Sequence, residues 1–481
     1  MKSLNVKIRD WVLNNWIWFC IFTISIFGVF YGLADMDYYW QKDLGKAIVK
    51  DFNFNSCYNQ VWGNKGVGVY YDHEWLTNVI FYLFSLIPYK PLIWLKLFIC
   101  ILTGIETIRF LKEFKLNENL SFKVYAVFLL YAINILVFCK IKAYSLSVLL
   151  FMEEIILIER YKSSDTNSLK YIVRLGILCV LWTNIHSGSM PLFFVVAGVY
   201  WLFCFRTKKL LLQGVVIAFT TLINPYGYKL ILFNFIHNFD KTMKSIILDW
   251  KGMDAKFEIG AICALIILMF IFLVTKQVKL HLPHFILSLL LIYMSFCSLR
   301  HIIYLIPLLY LYIIYFDVSI EYNIHSSRLN VLTFNIILAI LVIFNTLFSC
   351  NYKDYSCNFV DSKLNYLIDT TIDADSTGLF NEHDFISMTN YGKKNFITGA
   401  YPLIAQRYKD ACVLLKHGTY SQISDIIDYY KLDKFIFNKY NSDVTYYKLV
   451  NPLYDYLVNS SEYKCLYDSD KLVYFIRKGG K

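Results

Sequence analysis

The chain has 481 residues, 57% of them hydrophobic and 17% charged, against about 45–50% and about 25% in ordinary soluble domains. That balance excludes an ordinary soluble enzyme and predicts an all-α polytopic membrane bundle in the plasma membrane. The net charge of +11 predicts no nucleic-acid partner, because the basic residues sit mostly in short loops between apolar runs, where they carry topology.

The first apolar run, 11–33, is too long for a signal-peptide core and is followed by no small-residue cleavage pattern, so it is expected to stay as an anchor. Lys2, Lys7 and Arg9 precede it, which puts the N-terminus in the cytoplasm and the following stretch outside. In that stretch Asp35 and Asp37 arrive together, and from Asp37 the residues Trp40, Gln41, Leu44 and Ile48 follow the spacing of one helix face lying along the membrane surface. The acids can serve simply as helix caps, or they can carry chemistry.

A polar loop with Gly63, Gly66 and Gly68 leads to Asp72-His73-Glu74-Trp75-Leu76 and a short apolar segment, 77–87. About 20 apolar residues are needed to span, so this segment is expected to lie beside the membrane or dip into it. With that choice the spans are 91–110, 122–139, 144–158, 171–183, 190–205, 210–223, 259–275, 282–297, 302–316 and 329–349. The total is about eleven transmembrane helices plus juxtamembrane helices. The same parity places Arg109, Lys112, Arg160, Lys162, Arg206 and Lys208 in the cytoplasm, in keeping with the positive-inside bias.

The polar groups then collect at outer helix ends: Asp35, Asp37, His73, Glu74, Lys140, Lys142, Asn184, His186, Asn224, Tyr226, Asp249, Trp250, Arg300 and His301. Ionisable groups at membrane depth are costly and usually mark a site. Taken singly each has a structural explanation, since Lys140 or Arg300 can snorkel and Asn224-Pro225 is a common turn opening. From residue 350 the composition becomes polar, predicting a small extracytoplasmic α/β domain over 350–481, distinct from the transmembrane part, 1–349, and its first outer loop, 34–88. Within it 421–430 reads as a helix, with Ile423, Ile426, Ile427 and Tyr430 on one face, and 434–438 and 472–477 read as strands.

The twelve cysteines show no CxxC and no Cys/His spacing, so zinc is not indicated and no metal ligand is assigned. Seven lie in apolar runs; of the remaining five, Cys57, Cys350, Cys357, Cys412 and Cys465, Cys350 and Cys357 are near enough to pair or to stay free.

An outward acid pair with cationic groups at other helix ends suits group transfer from a lipid-linked phosphate. The acceptor hydroxyl needs a base within hydrogen-bond reach, and the leaving phosphate needs positive charge. Asp35 or Asp37 would supply the base; Lys140, Lys142 or Arg300 would supply the charge.

The first-loop residues Asp35-Met36-Asp37-Tyr38-Tyr39-Trp40-Gln41, with Gly45 and Ile48, and then His73-Glu74-Trp75-Leu76 resemble a pattern in bacterial multispanning proteins related to the GT-C glycosyltransferases. Asn184-Ile185-His186-Ser187-Gly188 resembles their Asn-x-His-Gly motif, and Asn224-Pro225-Tyr226-Gly227 and Asp249-Trp250 follow in the family's order. The stretches around 401–408 and 467–477 resemble its extracytoplasmic tail. The resemblance implies an inverting transferase that uses a polyprenyl-phosphate sugar donor, with a first-loop Asp as base and Gln41, His73, Glu74, Lys140, Lys142, His186, Arg300 and His301 binding substrate. The acceptor it implies is an envelope glycan or lipid. It names no certain cofactor beyond the lipid-linked donor and leaves a divalent metal open. Three departures stand out: Gln41 replaces the usual His, Lys140-Ile141-Lys142-Ala143 replaces an Arg-Pro, and Ser187 replaces Gly. Gln hydrogen-bonds but does not titrate near neutrality.

Two other classes fit the same residues. One is a transporter of lipid-linked oligosaccharide, which should carry helix breaks near the midplane and internal symmetry. The other is a catalytically silent membrane scaffold, which Gln41 favours.

Overall fold

The computed structural model describes residues 16–30, 37–52, 54, 71–114, 121–135, 139–163, 168–205, 208–239, 281–315, 362–372, 378–380, 396–398, 410, 413–439, 450–469 and 472–479. Its contacts divide the chain into two compact units. One comprises Met1–Asp35, Leu83–Asn238 and Leu248–Tyr352; the other comprises Met36–Tyr82, Phe239–Ile247 and Lys353–Lys481. The protein is mostly helical with one small sheet.

The first unit is built of helices that largely follow the apolar runs. They are α1 (Trp16–Phe27), then, after α2 (Asp37–Asp51) and α3 (Trp75–Ser85), α4 (Pro91–Glu113), α5 (Ser121–Ile133), α6 (Ala143–Lys162), α7 (Ser168–His186), α8 (Pro191–Tyr200), α9 (Lys208–Thr220), α10 (Tyr228–Phe239), α11 (Leu282–Cys297) and α12 (Leu305–Tyr315). Helix α4, 23 residues long, is apolar and long enough to cross a membrane, and Leu169–Ser189 with Pro191–Phe205 forms a second candidate bent by 116°. Other apolar helices among the described residues are shorter. The 11 residues of α3 rise only about 16 Å, roughly half a hydrocarbon core. Helix α10 was not anticipated, and the expected spans 259–275 and 329–349 lie outside the described residues.

This unit exposes many large apolar side chains. Leu169, Val173, Ile177 and Leu181 form an exposed stripe along α7, and Leu212, Val216, Phe219 and Ile223 do so at α9, whereas Ser25, Thr107, Ser147, Thr183 and Ser288 are buried. Small residues let the helices approach: a Cβ on Gly104 would overlap Ser25 Oγ, and Ser25 Oγ lies 2.6 Å from Tyr131 Oη. Helices α4 and α6 share a direction, α1 opposes α4, and α5 opposes α12. The C-terminal end of α4 meets that of α6 through Glu113 and Arg160, 2.5 Å apart, and meets the start of α1 through Lys112, 4.7 Å from the Trp18 ring. Lys123 at the start of α5 donates to the Ile314 carbonyl at the end of α12, 2.7 Å away.

In the second unit α2 packs on α3. Gly45 is obligatory there, since any Cβ would overlap the Asn78 carbonyl. A five-stranded sheet forms from β1 (Gly378–Phe380), β2 (Phe396–Thr398), β3 (Lys434–Asn438), β4 (Tyr463–Asp468) and β5 (Leu472–Arg477), in the order β2-β1-β3-β5-β4. The first two neighbouring pairs are parallel and the last two antiparallel. Phe435, Phe437, Val473 and Phe475 pack under α14 (Tyr420–Tyr430) and α15 (Pro452–Asn459), while Ile436 and Tyr474 face α13 (Ser362–Thr371) on the other side. Burial on both faces accounts for the nearly continuous apolar run in β5. The expected α/β layer is present, and β3 and β5 have the expected limits; β1, β2, β4, α13 and α15 were not anticipated.

Candidate functional site

Helix α2 begins at Asp37, as its spacing predicts, and Gln41, Leu44 and Ile48 share its buried face. Gln41 is 2% exposed. Its Nε2 donates to Glu74 Oε2 at 2.5 Å, and Glu74 Oε1 lies 3.6 Å from His73 Nε2. The acidic loop and the His-Glu-Trp-Leu turn are thereby joined, and Asp37 stands one helical turn before Gln41. Tyr38, packed against Phe81 at 5.8 Å, fixes the rotation of α2.

The turn is held by Asp72, a residue the sequence did not single out. Its Oδ1 accepts from the Glu74 backbone N–H at 3.0 Å and its Oδ2 from Asn78 Nδ2 at 2.8 Å, an Asx turn that starts α3. Burial outweighs these hydrogen bonds and pushes the Asp72 carboxyl up to about 6. Among the described residues Gln41 Oε1 and Asn78 Oδ1 are buried without a hydrogen-bond partner.

In the helical unit His186 ends α7. Its Nδ1 lies 2.8 Å from Ser147 Oγ and 2.9 Å from Ser189 Oγ, and Trp182 Nε1 donates to Ser189 at 2.9 Å. Asn184 Nδ2 donates to the Ile223 carbonyl at 2.9 Å, and Ser187 Oγ accepts from Asn234 Nδ2 at 2.6 Å. The Ser that departs from the Asn-x-His-Gly pattern therefore has a partner supplied by the unanticipated α10. Arg300 and His301 are half-buried on the short helix Leu299–Tyr304, which packs on α6 through Tyr304 and Phe151, 5.5 Å apart. His301 Nδ1 lies 3.1 Å from the Ser298 carbonyl. Lys140 is exposed and Lys142 half-buried at the start of α6. Thus the structure joins Gln41, His73 and Glu74 in one unit. In the other it gathers His186 with the start of α6, against which the Arg300 segment packs. Asp35, Asp249, Trp250, Cys57, Cys350, Cys357 and Cys412 lie outside the described residues, as does the stretch 401–408; Cys465 is exposed and free.

Asn224 serves its own turn, its Oδ1 accepting from the Tyr226 N–H at 2.8 Å. Three features escaped the sequence reading. Lys96 is buried in α4 and donates to the Cys139 carbonyl; Glu154 is fully buried in α6; and Glu159, His281 and His284 converge. Only the His-x-x-His spacing on α11 left a trace of the last. A cavity of about 310 Å³ between α6, α7, α8 and α9 is lined by apolar side chains including Ile158, Leu175, Phe193, Trp201 and Ile217, a surface suited to a hydrocarbon chain. No protein-family description and no curated protein matches this chain.

Proposed function

We propose that this chain is a multi-pass membrane glycosyltransferase that moves a sugar from a polyprenyl-phosphate donor to an envelope glycan or lipid on the outer face. Asp37 or Asp35 serves as base in this reaction. The observation that carries the proposal is the buried hydrogen bond between Gln41 and Glu74. It ties both halves of the first-loop motif together and orders the helix that begins at Asp37. Asp37 stands at the start of that helix, and Glu74 and His73 beside Gln41 offer acceptors and a donor to sugar hydroxyls. The sequence assigns the charge needed by the departing phosphate to Lys140, Lys142 or Arg300.

The eleven-span arrangement with a cytoplasmic N-terminus belongs to the same proposal. Its support is the exposed apolar stripes and the buried polar side chains of the helical unit together with the relative directions of α1, α4, α5, α6 and α12. Such a distribution suits lipid surroundings, and Arg109, Lys112, Arg160 and Lys162 fall at the end where the C-termini of α4 and α6 meet. Purified protein incubated with labelled polyprenyl-phosphate sugars and an envelope extract should transfer label in a time-dependent way. Absence of transfer from every donor, with protein that elutes as a single folded species, would contradict it.

A silent scaffold is favoured by one observation: Gln41, where the family pattern has a titratable His, is buried and bonded to Glu74. A scaffold would retain folding and partner capture with no turnover under any donor.

A further inference from the structure

The end of the helical unit away from His186 carries a cluster that sugar transfer does not use. Glu159 lies in the last turn of α6, and His281 and His284 lie at the start of α11, three residues apart and therefore on one side of its first turn. Glu159 Oε1 is 3.6 Å from Nε2 of His281 and 3.6 Å from Nε2 of His284. One ligand-capable atom from each of the three residues falls within 4.8 Å of the others. The imidazole rings are 4.3 Å apart and tilted by 31°. Donor atoms around a tetrahedral ion with bonds of about 2.0–2.1 Å stand roughly 3.4 Å apart. Two edges of the required polyhedron are thus already formed to within a few tenths of an ångström.

The surroundings hold the donors inward. His284 is 2% exposed and stacks on Tyr315 at 6.0 Å, with Phe114 edge-on at 6.1 Å. Tyr200 Oη donates to Glu159 Oε1 at 2.9 Å and so accepts from His284 Nε2 at 2.7 Å, a proton that His284 moves to Nδ1 when Nε2 takes the metal. Lys162 shows that a cation suits the place. Its ammonium lies 2.7 Å from His281 Nε2 and 3.6 Å from Glu159 Oε2. An ammonium can only donate, so His281 presents an Nε2 lone pair, the form that ligates a metal. The Lys162 side chain is 36% exposed and on a flexible stem, so a divalent ion can displace it into solvent.

We propose that Glu159, His281 and His284 bind a first-row divalent metal ion, with Zn²⁺ the best match to two imidazoles and one carboxylate. The ion clasps the end of α6 to the start of α11. The site stands on this geometry alone and survives failure of the transferase reading.

The test uses the full chain in detergent, stripped with a chelator and dialysed against ZnCl₂ or CoCl₂, with bound metal counted by elemental analysis. About one ion per chain is expected. Affinity should fall at least tenfold in Glu159→Gln and in His281→Ala, the latter chosen because His281 is partly exposed and its loss spares the packing around His284. Lys162→Ala should bind at least as tightly as the wild type. Bound Co²⁺ should show visible bands of a low-coordinate site that vanish in His281→Ala, with an unchanged elution profile. No stoichiometric metal in the wild type, or binding unaltered in both ligand variants, would overturn the site. Binding seen only after Lys162→Ala would also overturn it, because Lys162 would then exclude the ion.

Discussion

Gln41 and Glu74 meet at 2.5 Å across 33 residues of sequence, and this bond organises the first loop. Replacing Gln41 by Leu leaves the buried side of Glu74 without its donor, at a cost of about 1–3 kcal/mol. The apparent melting temperature of the purified protein should fall accordingly. Gln41→His, which keeps a donor, should recover part of the loss. A Leu variant as stable as the wild type would mean that the bond does not organise the loop.

Gly45 tests the crossing of α2 on α3. A methyl group there overlaps the Asn78 carbonyl, whereas one at Gly198 in α8 meets nothing within 4 Å. Gly45→Ala should therefore destabilise by roughly 1–3 kcal/mol, and Gly198→Ala should be neutral or stabilise by up to about 1 kcal/mol. Equal effects in the two thermal melts would contradict this crossing geometry.

The Asp72 carboxyl gives a pH signature. Its folded value of about 6 lies above the ordinary 3.8, so the folded loop holds the proton more tightly than the unfolded chain does. Its stability contribution is complete below pH 3.8, declines as pH rises towards about 6, and is lost above that. Two units correspond to about 3 kcal/mol at most. Asp72→Asn should remove this dependence and be tolerated at neutral pH, because Asn78 can turn its amide and offer Oδ1 to the new NH₂ group. The check is the melting temperature from pH 4 to 8 for both proteins, compared as a difference so that other titrating groups cancel. A difference independent of pH would refute the assignment.

Where a run of side chains decides the structure locally, the fold was legible. Helix α11 matches its apolar run end to end, α2 starts at Asp37, and β3 and β5 have the limits their β-rich runs suggest. What escaped depends on partners distant in sequence. Helix α10 is short and interrupted by Asn234 and His237, so it reads as a poor span, although Asn234 is buried against Ser187. Strand β4 mixes Lys464 and Asp468 with Tyr463 and Leu466 because it lies at the sheet edge, where one side lacks a neighbour. Of the site, Gln41, His73 and Glu74 were legible as motif residues, but their contact was not. Glu159 and the two histidines had no signal in common, because only packing of α11 against the end of α6 unites them.

Topology can be read directly with reporter fusions after Lys115, Lys162 and Lys209. All three should report a cytoplasmic location, since the C-terminal ends of α4 and α6 meet and basic clusters lie at or just after the ends of α4, α6 and α8. External signals at two of the three would overturn the span count.

The central claim is that a first-loop carboxylate acts as the base in sugar transfer. The most direct measurement compares wild type, Asp37→Asn and Asp35→Asn in a single-turnover assay with the polyprenyl-phosphate sugar that supports activity, together with donor binding by the same proteins. Asn keeps size and polarity but removes basicity. One of the two variants should therefore lose about a hundredfold or more in rate while donor affinity stays within a few-fold of wild type. Transfer at the wild-type rate by both variants would contradict the claim and leave the acids as caps of α2 and its approach.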